Sequence, residues 1–247
     1  MIEVPQIACV KLHQLVAAWC VHIFTASSAV IGVFALREIA HEHWNNFFGL
    51  LALTVAIDSC DGALARYFRV KERVPSIDGA LLDNIVDYFT YVLVPAIFVF
   101  ESKYFTSAGA VAASCMMVLS SAYQFSQVDA KTEDHCFKGW PSYWNVVALY
   151  IVLLDLSPES NFGIVLFFTV LVFVPVKYIY PSRTKQYRKL NVLLGLLWGI
   201  SMLVLILQIP TPSAWLLWLS LAYVAYYMLL SFWLTIREEK RQTQHLQ

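Results

Sequence analysis

Apolar residues in this chain come in long, nearly unbroken runs separated by short polar connections. Eight runs, near 14–36, 47–69, 79–101, 105–127, 141–157, 161–180, 189–209 and 213–236, approach or exceed what a helix needs to cross a hydrocarbon core. That requirement is about 20 residues. The fifth run is the weakest, because it is short, opens with Pro141 and ends at Asp155. No internal repeat and no low-complexity stretch interrupts the pattern. The expected fold class is therefore all-α: a polytopic membrane helical bundle of about eight transmembrane helices, forming a single integral membrane domain over residues 1–247.

Composition sharpens this reading. Hydrophobic residues make up 59% of the chain and charged residues only 14%, with a mean hydropathy of +0.62. Soluble domains carry about 25% charged residues, so the solvent of this chain is mostly lipid. The net charge is +0, which argues against a nucleic-acid partner. Cys9, Cys20, Cys60, Cys115 and Cys136 are scattered without paired spacing and read as packing thiols. The start MIEVPQIACVKLH lacks the basic segment and cleavage site of a signal peptide, so the first run is expected to be retained.

The distribution of charge orients the runs. With the N-terminus inside, one side of the membrane receives Lys11, Arg66, Arg69, Lys71, Arg73, Lys131, Lys138, Lys177, Arg183, Lys185, Arg188, Lys189, Arg237, Lys240 and Arg241. The other side keeps Arg37 and Lys103, so fifteen of the 17 lysines and arginines fall together. Cytoplasmic loops attract such an excess, and both termini are expected in the cytoplasm.

The second and third runs contain the anomaly. TVAIDSCDGALARYFRV carries Asp58, Asp61 and Arg66 in apolar surroundings, and SIDGALLDNIVDYFTYV carries Asp78, Asp83 and Asp87. Each mid-bilayer charge costs roughly 2.5–3.5 kcal/mol on insertion scales, so four carboxylates facing lipid would cost on the order of 10 kcal/mol. They must face the interior, where such residues are functional candidates. Asp58 and Asp61 are three apart, Asp83 and Asp87 four apart, so each pair shares a helical face. Asp61 and Asp87 each lie eight residues from the connection joining the runs, which puts both roughly 12 Å deep. Four convergent carboxylates need cations, and hard oxygen ligands select Mg²⁺, Mn²⁺ or Ca²⁺. Two metals bridged by carboxylates suit displacement at phosphorus. Gly62, Ala65 and Gly79 beside the acids leave room for a ligand or for close helix approach.

These residues spell D-x2-D-G-x2-A-R followed by G-x3-D-x3-D, which resembles the signature of the CDP-alcohol phosphotransferases. Twelve residues separate Arg66 from Gly79, a longer gap than most of that family shows and similar to the bacterial phosphatidylcholine synthases. AAWCVHIFTASSAV (17–30), YQFSQVDAKTEDHCFKGWPSYWNVVALY (123–150) and FVPVKYIYPSRT (173–184) also resemble segments of those synthases, with Ser28 where glycine is expected.

The resemblance implies a six-helix core, a homodimer in the bacterial inner membrane, and a site facing the cytoplasm. It implies that Asp58, Asp61, Asp83 and Asp87 hold two divalent cations, Mn²⁺ or Mg²⁺, on the diphosphate of CDP-diacylglycerol. Asp87 would take the proton of the attacking alcohol, with CMP as leaving group. Thr25, Gly62, Ala65, Arg66 and Gly79 would bind the CDP portion, Arg66 serving the diphosphate or pairing with an aspartate. Arg69, Lys71 and Arg73 would meet lipid phosphate or simply be positive-inside residues.

Choline as acceptor is implied by the same resemblance. A quaternary ammonium is recognised by aromatic faces, and Tyr123, Tyr143 and Trp144 are the candidates. Arg66, as the only deep basic residue evident, leaves little to bind an anionic alcohol, although serine, inositol and glycerol 3-phosphate stay open. Glu133, Asp134 and His135 add polar groups to the matched segments, and His22 reads as a hydrogen-bonded packing histidine. A transporter with an acidic ion pathway is the rival class, but neither inverted repeats nor interrupted helices are evident.

Overall fold

The computed structural model describes residues 11–130, 132, 136–180, 184 and 187–245, the last eight as backbone only. Cys9, Lys131, Glu133, Asp134, His135, Arg183 and Lys185 lie outside the described residues, as do the side chains of Lys240 and Arg241.

Among the described residues, ten α-helices and two three-residue strands follow in chain order: α1 (Leu12–Ile39), α2 (Trp44–Tyr67), α3 (Val70–Arg73), α4 (Gly79–Asp87), a π segment (Tyr88–Leu93), α5 (Val94–Glu101), α6 (Ser107–Ser126), β1 (Cys136–Lys138), α7 (Trp144–Leu154), α8 (Pro158–Phe173), β2 (Lys177–Ile179), α9 (Arg188–Leu207) and α10 (Ala214–His245). Helix α4, the π segment and α5 form one continuous element over Gly79–Glu101. Pro95 explains its irregularity, since proline removes one ladder hydrogen bond and crowds the preceding turn.

Among the described residues, six helices are long and apolar enough to cross a membrane: Leu12–Ile39, Trp44–Tyr67, Gly79–Glu101, Ser107–Ser126, Arg188–Leu207 and Ala214–Arg237. The chain is thus an all-helical membrane bundle, but the fifth and sixth apolar runs form shorter helices than expected. Helix α7 has 11 residues and α8 has 16. Pro141 and its neighbours stay non-helical, and Asp155 ends α7 in the left-handed region. Helix α7 is buried over almost its whole length, so protein rather than lipid surrounds it. The two short helices are consecutive, so their lengths leave the parity of crossings unchanged.

Helix α1 lies along α2 and α4, burying Ala18, Val21, His22, Thr25, Ser28, Gly32, Ala35 and Ile39. Spacing of three and four residues places them on one stripe, and most are small enough for close backbone approach. At the far end of the bundle Phe47, Phe48 and Phe98 pack ring on ring, with centroids 4.8–5.6 Å apart.

Strands β1 and β2 pair antiparallel, Phe137 opposite Tyr178. Gly139 follows with φ of +79°, where any Cβ would collide with the Val172 carbonyl oxygen, so only glycine fits. The ribbon docks on α10, where Thr235 and Ser231 accept from the backbone N–H groups of Lys177 and Ile179. Asn45 of α2 donates to the carbonyls of Ile206 and Ile209, tying α9 to the opposite end. Among the described cysteines no disulfide forms: Cys20, Cys60 and Cys115 are exposed, and Cys136 is buried with its Sγ 3.8 Å from the Thr184 hydroxyl.

Candidate active site

Helix α2 runs toward the connection that α4 leaves, and both pack against α1, so the acidic pairs converge at one end of the bundle. One carboxylate oxygen each from Asp58, Asp83 and Asp87 lies within 4.8 Å of the others. All three side chains are half-buried. Like charges at about 4–5 Å repel by roughly 4 kcal/mol per pair at an effective dielectric of about 20. A hard divalent cation at about 2.0–2.6 Å from its ligands draws those oxygens to within about 3–5 Å of one another. The donor set and its spacing therefore fit such an ion.

Asp61 stands apart from that trio. It is buried, and one of its oxygens accepts from the Thr25 hydroxyl at 2.8 Å. Thr25 was expected at the nucleotide; the structure gives it a carboxylate to hold. Tyr91 plays the corresponding part for Asp58, donating its hydroxyl at 2.7 Å. Tyr91 sits in the π segment, one turn beyond Asp87, and is itself buried. Such single-turn π stretches concentrate at functional positions because they rotate the following side chains. Each bond to an ionised carboxylate contributes about 1.5–3 kcal/mol and fixes its direction.

The segment that carries these carboxylates matches a known protein family. The family model for CDP-alcohol phosphatidyltransferases matches residues 15–176, most of the chain and all four acids. The chain belongs to the CDP-alcohol phosphatidyltransferase family. It is 45% identical over 231 residues to a phosphatidylcholine synthase of Legionella pneumophila, covering 91% of both chains. Synthases of the same name from Borreliella burgdorferi and Pseudomonas aeruginosa are each 36% identical, covering 94% and 90% of this chain and 100% and 93% of theirs. The chain is accordingly an integral membrane enzyme of a family that uses divalent cations.

The remaining motif residues divide by position. Gly62 and Ala65 are half-buried on α2, on the turns that follow Asp61. Gly79 opens α4 against α1: a Cβ there would stand 3.3 Å from Cε1 of His22, so this glycine serves close helix approach. Asp78 caps α4, accepting from the backbone N–H groups of Ala80 and Leu81. Arg66, expected deep, is exposed and forms no salt bridge among the described residues. It falls in the last turn of α2, whose helix ends at Tyr67, and so reaches the rim instead. Arg69 and Lys71 are exposed and Arg73 half-buried on the same rim, Arg69 facing Glu72 at 4.0 Å.

Among the aromatic candidates only Tyr143 neighbours the acids. Its ring lies 6.1 Å from that of Tyr91, and it feels the charges of Asp58 and Asp87. Trp144 is wholly buried, its indole N–H donating to Ser121 at 2.7 Å and its ring packed on Trp140, so it is a core residue. Tyr123 is half exposed on α6 and lies against Phe173. Tyr178 and Tyr227 also stack, with both hydroxyl groups buried and without a partner among the described residues.

One residue that holds these acids, Tyr91, was missed in the sequence. Tyr91 continues the four-residue spacing of Gly79, Asp83 and Asp87, which was a usable signal. His22, expected to be hydrogen-bonded, is buried with its Nε2 unpartnered among the described residues. An unpaired buried polar group costs about 1–3 kcal/mol.

Proposed function

We propose that the chain is a phosphatidylcholine synthase, transferring the phosphatidyl group of CDP-diacylglycerol to choline with release of CMP. The convergence of Asp58, Asp83 and Asp87 carries this reading. Those three, with Asp61, would hold divalent cations, Mn²⁺ or Mg²⁺ and two per site. When bound, the cations offset the diphosphate charge and polarise the reacting phosphorus.

The chain's own residues do the rest. Tyr91 and Thr25 fix the carboxylates of Asp58 and Asp61 before substrate arrives, so little reorganisation accompanies binding. Gly62 and Ala65 leave α2 a shallow face for the nucleotide, and Gly79 closes its end. Arg66 reaches the diphosphate from the rim, and Arg69, Lys71 and Arg73 meet lipid phosphate. Asp87 accepts the proton of the choline hydroxyl. The choline oxygen bonds to the β-phosphorus while the bond from that phosphorus to the CMP oxygen breaks. Tyr143 supports choline over anionic alcohols, because an aromatic face beside carboxylates favours a cation.

The positive-inside bias supports a bacterial inner-membrane protein with this site facing the cytoplasm. Pairing of β1 with β2 supports the same sidedness, since it joins two connections assigned to one side. The whole chain reads as one membrane domain, and family membership supports a homodimer.

The test is CMP release by purified protein in detergent with CDP-diacylglycerol and Mn²⁺, with and without choline, alongside Asp87→Asn. Choline-dependent CMP and phosphatidylcholine, lost in the variant and on chelation by EDTA, are expected. Release driven by serine, inositol or glycerol 3-phosphate instead would overturn the acceptor. No release with any alcohol from folded protein would favour an ion-coupled transporter.

A further inference from the structure

At the end of the bundle opposite the carboxylates, the last turns of α1 and α5 and the start of α2 border a cavity of about 290 Å³. Its lining is of two kinds. Leu36 and Ile97 are apolar, while Glu42, Glu101, Ser102 and Lys103 bring charge and a hydroxyl. No salt bridge among the described residues joins Lys103 to either glutamate. Opposite charges around one cavity are thus left to meet an occupant rather than each other. Ser102 is buried and its hydroxyl lacks a partner among the described residues; of the buried side chains in that condition, it alone borders this cavity. Trp44 adds an aromatic ring to the lining, held edge-on against Phe98 and Tyr104 with centroids 5.2 and 6.5 Å away.

The position of the cavity says what the occupant is. Ile97 is exposed, and so is Val33, one turn before Leu36 on the same face of α1. Both belong to elements long and apolar enough to cross the membrane, and α1 packs against α5. An apolar strip therefore leads from the cavity into the bilayer, and a ligand that fits has a charged head and an apolar tail. Two carboxylates against one ammonium disfavour a head of net negative charge, and Lys103 disfavours one that is only cationic. A zwitterionic head satisfies both, with its phosphate on the lysine and its ammonium beside the carboxylates and the indole.

We propose that this cavity binds the headgroup of one zwitterionic phospholipid in the leaflet away from the carboxylate site, its phosphate on Lys103 and its ammonium among Glu42, Glu101 and Trp44. An acyl chain lies along Val33 and Ile97. The inference rests on the place of the chain in a membrane and not on the reaction proposed above. Glu42, Glu101 and Lys103 are exposed at the rim, so each ion pair is worth at most about fivefold in affinity and the two carboxylates together roughly tenfold.

The test is native mass spectrometry of the purified full chain in detergent with phosphatidylethanolamine, phosphatidylcholine or phosphatidylglycerol of matched acyl chains. Wild type, the double variant Glu42→Gln/Glu101→Gln and Lys103→Gln are compared, each with its melting temperature. Wild type is expected to hold its first phosphatidylethanolamine or phosphatidylcholine about tenfold more tightly than phosphatidylglycerol. The double variant should lose that preference and accept the anionic lipid equally, whereas Lys103→Gln should weaken all three. Without added lipid both variants should melt near wild type, since the substituted side chains are exposed. An unchanged lipid preference in the folded double variant would overturn the proposal, as would a wild-type preference for phosphatidylglycerol. Dimers that dissociate in the variants while lipid retention stays the same would give the cavity to a second copy of this chain, and would overturn it too.

Discussion

The hydroxyl of Tyr91 donates to a carboxylate oxygen of Asp58 at 2.7 Å, linking the third membrane element to an acid on the second. Helix α2 and the π segment are thereby joined by a polar contact, and the Asp58 carboxylate has one oxygen committed before any ion binds. Tyr91→Phe keeps the ring and removes only that bond. A hydrogen bond to a charged group contributes about 1.5–3 kcal/mol, so the rate should fall roughly ten- to a hundredfold. Initial rates across a Mn²⁺ series check this: part of the loss should appear as a higher Mn²⁺ requirement.

Thr25 gives a parallel test on α1. Thr25→Val is isosteric but cannot donate to Asp61, leaving a buried carboxylate short of a partner. Activity should drop by about one order of magnitude or more, with a lower melting temperature. Thr25→Ser retains the donor and should stay near wild type in both measurements.

Tyr143 and Trp144 are adjacent in sequence yet should behave oppositely. Tyr143→Ala is expected to raise the choline KM by roughly two- to thirtyfold, the range of a cation–π contact. Trp144→Phe removes the indole bond to Ser121 in the core. It should lower thermal stability and leave the choline KM unchanged.

The loop after α6 supplies a pH prediction. Lys138 donates to Asp129 at 2.6 Å. That hydrogen bond and charge hold the Asp129 carboxyl below its ordinary range and raise the Lys138 ammonium above its own. The depressed acid contributes stability above its ordinary value near pH 4, lost as pH falls through the lowered one; the raised base contributes below about pH 10, lost as pH rises further. Asp129→Asn should thus lower the melting temperature by the same small amount at pH 6 and pH 8. The difference should shrink in high salt, because both groups are solvated.

Lipid makes some of this site legible in sequence and hides the rest. Asp58, Asp61, Asp83 and Asp87 stood out because charge is costly in a bilayer, and spacing alone put each pair on one face. The separation of Asp61 from the other three depends on a threonine 36 positions earlier, which no local pattern signals. Arg66 was expected deep because its run continues to residue 69, but α2 ends at Tyr67 and turns through a left-handed Arg69. Tyr143 and Trp144 differ because one precedes α7 and the other begins it, a boundary finer than hydropathy resolves. His22 was misjudged because a sequence shows a polar atom and not whether that atom is satisfied. Strands of three residues, forty positions apart, offered no alternation to read.

The β1–β2 ribbon bears on how this enzyme is built from parts. The family match stops at residue 176, one position before β2 begins, so α9 and α10 lie beyond it. Yet β2 pairs with β1 inside the matched portion, Asn45 of α2 caps the far end of α9, and Tyr150 of α7 donates to Ser220 of α10. The last two helices are thus fastened to the matched portion at both ends and in the middle. A chain trimmed to residues 15–176 would lose the bond that fastens α7 to α10, beside which Tyr143 stands.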